Sequence, residues 1–216
     1  MRVASVQEFS LLTVFEFQNP IPFAEAKLDE MAKSICASPV GYTTNPLEIA
    51  ILRHNHIFSY SLTVPLFNHG GQIVVTGQAV SINFKQGRGS GQLGVMVDVT
   101  LGSLEAIKPP RLKRSVITFA AHATFENPEQ YSEYMSRYVN EEAGITSGGV
   151  TLVAKSAETD GEIRYATEKS LSYPNALFFS TTITSTKELD KELFALVANR
   201  FDTVAGHDGI KIIPFR

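Results

Sequence analysis

The sequence predicts an α+β protein: a mostly antiparallel sheet with three amphipathic helices packed on one face, built as a tandem duplication of a strand–helix–meander unit. Short runs of alternating apolar and polar residues recur along the chain, the pattern of strands with one buried face. Three other segments carry a single apolar stripe at helical spacing, so each is expected to lie on a sheet. The third observation is internal. Phe17-Gln18-Asn19-Pro20-Ile21-Pro22-Phe23-Ala24-Glu25 aligns without a gap to Phe125-Glu126-Asn127-Pro128-Glu129-Gln130-Tyr131-Ser132-Glu133, at an offset of half the 216-residue chain.

The first helix is expected to begin at Asn19-Pro20, because asparagine caps helix N-termini well and proline needs no amide partner in the first turn. Ala24, Leu28, Met31 and Ile35 form its stripe, and Pro39 and Gly41 close it. From His54 to Leu66 the even positions are mostly apolar and the odd ones polar, which reads as one half-buried strand. Asn68-His69-Gly70-Gly71 supplies a turn before a second strand, Gln72 to Phe84, with a bulge at Gly77. After a glycine-rich loop, Val95, Val97, Val99 and Leu101 alternate with Met96, Asp98 and Thr100 as a further strand.

Residues 108–114 are basic and contain Pro109 and Pro110, so they read as a linker between a first unit, 1–107, and a second, 115–216. In the second unit, strands are expected near 116–125, 149–157, 161–170 and 176–184. Asp160-Gly161 suits a hairpin turn, because both residues tolerate positive φ. A helix opens at Asn127-Pro128, with Gln130 at capping-box spacing and Tyr131, Tyr134, Met135 and Tyr138 as its stripe. Another opens at Ser185 and Glu188 and carries Leu189, Leu193, Val197 and Phe201. A short strand at 210–215 ends the chain. This last helix and strand have no counterpart in the first unit.

Bulk properties exclude several classes. Hydrophobic residues make up 44% and charged residues 19%, and the formal net charge is −3. No overall basic field draws the chain to nucleic acid or to an anionic membrane. The single cysteine, Cys36, excludes an internal disulfide and a cysteine-rich metal site, and reads as a small buried hydrophobe. Apolar runs fall short of a membrane span and the start lacks the features of a secretory signal, so a cytoplasmic location without membrane contact is expected.

Three motifs bear on chemistry. Gly89-Ser90-Gly91-Gln92-Leu93-Gly94 matches the glycine pattern of dinucleotide-binding turns, but that chemistry needs a following helix, and strand is expected here. With Lys85 and Arg88 beside it, the loop is a candidate contact for a phosphate or a partner. His54 and His56, two apart on one strand, point to one face as a metal pair would, although a third ligand among His69, Asp98 and His122 has no fixed place. Hydrogen-bonded structural histidines are the plainer account, and no nucleophile accompanies His122. Lys108, Arg111, Lys113 and Arg114 form the dense basic run, a solvated linker or, laid along a groove, a nucleic-acid contact. No cofactor is implied.

The order strand, helix, then several strands in the first half, with Ala79-Val80-Ser81-Ile82-Asn83-Phe84 on a long strand, resembles the hot-dog fold of acyl-CoA thioesterases. The His-Gly-Gly element that often precedes the helix in that family is absent. The resemblance implies acyl-thioester hydrolysis with an acidic helix residue, Glu25 or Glu133, as base. These glutamates occupy equivalent positions in the two copies.

Three functional expectations follow. The leading one is a non-catalytic binding or assembly subunit that holds a protein partner, a further copy of itself or a small ligand. Its support is the Ser180-Thr181-Thr182 and Thr184-Ser185-Thr186 runs, read as sheet edges suited to pairing with other chains. The alternatives are the hot-dog-type hydrolase and a nucleic-acid-binding protein using the basic linker and the Arg88 loop.

Overall fold

In the computed structural model, residues 2–21, 24–54, 59–139, 148–156, 159–187, 190–196, 206 and 209–213 are described. The first half runs β1 (Arg2–Phe17), α1 (Glu25–Ala37), β2 (Ala50–His54), β3 (Ser59–Leu66), β4 (Gly71–Val75), β5 (Ala79–Gly87) and α2 (Ser90–Ile107). The second runs β6 (Leu112–Phe125), α3 (Pro128–Met135), β7 (Gly149–Ser156), β8 (Gly161–Lys169), β9 (Ala176–Ser185) and β10 (Ile210–Ile213). A further helical segment covers 191–196. The strands form one ten-stranded sheet in the order β2-β3-β4-β5-β1-β6-β9-β8-β7, with β10 beside the start of β1. All neighbours are antiparallel except β1 and β10.

The chain is thus α+β with a large antiparallel sheet, and its centre is the β1–β6 pair. These strands run together from Ala4 opposite Phe125 to Phe17 opposite Leu112. Alternate residues of both are buried: Phe9, Leu11, Thr13, Phe15 and Phe17 on β1, and Ser115, Ile117, Phe119, Ala121, Ala123 and Phe125 on β6. One hydrophobic cluster joins this rank to Leu28, Met31 and Ile35 of α1, Met96 and Val99 of α2, Tyr134 and Met135 of α3, and Leu193 and Phe194. Phe9 stacks on Phe119 with ring centroids 5.5 Å apart, and Phe125 meets Tyr131 and Tyr134 at 5.8 and 6.2 Å. The tyrosine stripe is therefore core packing.

Several elements differ from the sequence reading. Asn19 is not a helix cap: α1 begins at Glu25. The Gln18 and Ile21 amides instead donate to the Arg111 and Gly77 carbonyls at 2.9 and 2.8 Å, tying this segment to the sheet. Ile21 also precedes a proline, which disfavours helical backbone. Asn127 does cap α3, its side chain accepting the Glu129 amide at 2.8 Å. Ser185 is the last residue of β9, and Asp190 caps the last helical segment by accepting the Leu193 amide at 2.8 Å.

The segment His54–Leu66 is two strands, β2 and β3, and Gln72–Phe84 divides into β4 and β5 around Gly77. In the β3–β4 turn the positive φ angles fall on Phe67, Asn68 and His69, not on the glycines. Gly71 is a strand residue instead, where a Cβ would come within 2.8 Å of the Phe84 ring. The basic stretch is shorter as a connection than expected. Lys108 ends α2 with φ of 49°, and Leu112 already belongs to β6.

The largest difference is α2, helical where a strand was expected. Valines and a threonine favour strands only weakly, and tertiary context overrides them. Its buried stripe, Met96, Val99, Thr100, Ser103 and Ile107, contains two hydroxyls. Thr100 and Ser103 donate to the Met96 and Val99 carbonyls at 2.8 and 2.6 Å, so both are satisfied within the helix.

Two stability predictions follow. Ile117 is fully buried at the centre of the sheet. Ile117→Ala is expected to lower unfolding free energy by about 2–5 kcal/mol in urea titrations. Asn127→Ala is expected to cost only ~1 kcal/mol, the usual value of an N-cap.

Candidate functional site

The candidate site is the rank of side chains opposite the buried one. Strand register places it row by row: Val14, Val116 and Thr184 stand side by side on β1, β6 and β9, as do Leu12, Thr118 and Thr182, and Ser10, Ala120 and Ser180. Across β5 the rows continue through Ser81 and Asn83. Most of these residues are half-buried, and Leu12 is 37% exposed. The Thr118 and Thr182 hydroxyls bond each other at 3.0 Å. The strip is uncharged and mixes methyl groups with hydroxyls.

Charge closes the strip at both ends. At one, Arg114 donates to Glu16 at 2.6 Å, and that hydrogen bond holds the carboxyl below its ordinary range. At the other lies a polar corner. Glu8 stands opposite His122, which neighbours Phe178 on β9 and then Glu168 on β8. The Tyr173 hydroxyl donates to Glu8 at 2.9 Å, and His122 is 5.4 Å from the Tyr173 ring and 5.1 Å from that of Phe178.

This corner contains the residue types of a nucleophilic site, but their bonding argues against that use. Ser170 Oγ lies 2.9 Å from His122 Nδ1 and accepts the Ser172 and Tyr173 amides at 3.2 and 3.1 Å. With both lone pairs taken, its proton goes to Nδ1, which leaves His122 protonated on Nε2. Attack by the serine oxygen would first have to break its bonds to the two backbone amides. The cluster fastens the 170–175 turn onto the sheet.

The other candidates lie apart. Glu25 is exposed in the first turn of α1, and Glu133 of α3 pairs with Arg2 at 2.6 Å. A cavity of about 800 Å³ between α1 and α2 is lined by neither. His54 is an exposed residue of β2 whose Nε2 bonds Ser61 Oγ at 2.8 Å. His56 lies outside the described residues. Among the described residues no three His, Cys, Asp or Glu side chains converge as a metal site. Cys36 is half-buried, with Sγ 3.9 Å from the Thr44 hydroxyl.

The glycine-rich segment expected as a loop is instead the start of a helix, with Gly89 as the N-cap and Ser90–Gly94 in the first turns of α2, which corrects the ground on which a phosphate turn was set aside. Yet β5 has only antiparallel neighbours, unlike the βαβ unit of dinucleotide folds, and the Arg88 amide already donates to Gln92 Oε1 at 2.7 Å. Lys85 and Arg88 stand near the start of α2, while Lys108 and Arg111 follow its end. An 18-residue helix separates them by about 27 Å. Lys113 and Arg114 lie on β6, and Arg114 is paired with Glu16. The basic residues therefore do not gather into one patch. The Ser180–Thr182 run is no sheet edge either, since β9 is paired on both sides.

The sequence reading missed Glu8, Ser170 and Tyr173. Glu8 and Tyr173 are 165 positions apart, and only strand register brings them together. The sequence matches no protein-family model, and no curated protein shows significant similarity to it. Among the described residues no helix is long and apolar enough to cross a membrane.

Burial lowers the His122 pKa below 6.5, and Glu8 opposes that shift. A proton-linked stability change follows in direction. The unfolded imidazole takes up a proton more readily, so the contribution is complete above the unfolded value and is lost as pH falls below it. An NMR titration is expected to place the His122 midpoint below 6.5, and Glu8→Gln to move it lower still.

Proposed function

We propose that this protein is a non-catalytic binding or assembly subunit that offers the uncovered rank of its sheet to a protein partner. The observation that carries the reading is the uncharged strip of Leu12, Val14, Val116, Thr118, Thr182 and Thr184 across the three central strands. Methyl groups and hydroxyls side by side suit a protein surface, which supplies apolar contact and hydrogen bonds together. Phosphate backbones are poorly matched, because Glu8, Glu16, Glu162 and Glu168 share this face with Arg114, Arg164 and Lys155. A half-buried single cysteine is in keeping with a cytoplasmic location.

The same reading takes α1, α2 and α3 as a layer on the other face, and the two halves as diverged copies of one unit. Strand order supports the second point, because it mirrors about the β1–β6 junction. In each half a long strand leads to a helix and then to a meander whose last strand returns beside the first. Phe17 and Phe125 both close their long strand. The helical segment at 191–196 then has a counterpart in α2, while β10 and one strand of the first half's four-strand meander are left over.

The reading is tested with a photo-crosslinking amino acid at Val14, and a control at exposed Glu192. The expected result is a discrete protein adduct from Val14 alone, reduced at least tenfold by Leu12→Asp with unchanged thermal unfolding. Equal labelling from both positions, or none from Val14, would overturn it.

A further inference from the structure

We infer that the protein self-associates through β7, whose free edge pairs antiparallel with β7 of a second copy about a twofold axis at Val153. The inference extends the assembly reading above with a second, separate surface, and the occupant of that surface is a further copy of this chain.

Among the described residues β7 ends the sheet and is paired on one side only, in unbroken register from Gly149 opposite Glu168 to Ser156 opposite Gly161. Its other side presents a row of backbone amides and carbonyls, and the ligand such a row recognises is another extended strand. Two of the usual guards of an edge strand are missing here: the strand has no proline and no bulge. Its one charge, Lys155, stands opposite Glu162 of β8. Val153 is 55% exposed at the middle of the strand, and Thr151 and Ala154 are exposed as well. The opposite edge differs. β2 has only five residues and ends in exposed Arg53 and His54.

Self-pairing is favoured over a foreign strand by the residues that would meet. With Val153 opposite its own copy, Thr151 faces Lys155, Leu152 faces Ala154 and Val150 faces Ser156. Every pair then joins residues of the same sheet face, and no like charges oppose. Two half-exposed valines leave water together at the axis. The patch is smaller than a standard interface, so a dimer dissociating in the micromolar range is expected.

Sedimentation velocity across a concentration series tests the inference on the full chain. Wild type should shift from monomer to dimer, and hydrogen exchange at 149–156 should slow as protein is concentrated. Val153→Glu and Val153→Lys should each weaken the dimer at least tenfold, because each sets like charges opposite at the axis. An equimolar mixture of the two should recover it. Val153 is exposed, so the variants should retain the wild-type circular dichroism spectrum. A wild type that stays monomeric would overturn the inference, as would a dimer untouched by both variants or a mixture that fails to recover. Each of those results leaves the Val14 crosslink standing, whereas loss of that crosslink alone removes only the face reading.

Discussion

Everything in this molecule depends on the pairing of β1 with β6. The two strands come from opposite halves of the chain, yet they form the longest ladder in the sheet and carry the centre of the core. Cutting between the halves would expose two long backbone edges. It would also open the cluster in which Phe9 stacks on Phe119. The stretch 108–114 leads directly into this pairing. Its first residues turn the chain, and the rest enter β6 within a few positions.

The same pairing decides which side chains face outward, through the first of its two irregularities. Ladder register shifts between Val6 and Glu8, so Gln7 is an extra residue in β1. Before the shift even positions such as Ala4 are buried, and after it odd positions are, from Phe9 to Phe17. Without the bulge Phe9 would point to the open face and Glu8 into the core. The bulge therefore both seals the core and sets Glu8 beside His122, from a change of one residue.

That irregularity also explains what was legible in the sequence. Strands with constant phase, β7, β8 and β9, were located to within a residue or two, and the Asn127 cap marks the true start of α3. β1 has two phases in one strand, so its alternation does not read cleanly. α2 hid its period because Thr100 and Ser103 look polar in sequence but are satisfied by their own helix. The candidate site was illegible for a different reason. Leu12, Thr118 and Thr182 are ordinary residues whose significance arises only when three strands are in register.

The two modes of association are geometrically compatible, which gives the architecture a use. The proposed edge pairing at β7 would extend the sheet within its own plane, while a partner on the uncharged strip would bind along the normal to it. A twofold axis at Val153, perpendicular to the sheet, keeps the open faces of both copies on the same side. The two β6 strands would lie seven strand spacings apart, about 34 Å along the sheet before twist. A partner with two suitably spaced epitopes would meet both strips at once, and the second contact would form at high effective concentration. A weak edge dimer would then suffice, because partner binding to paired faces would itself draw two copies together.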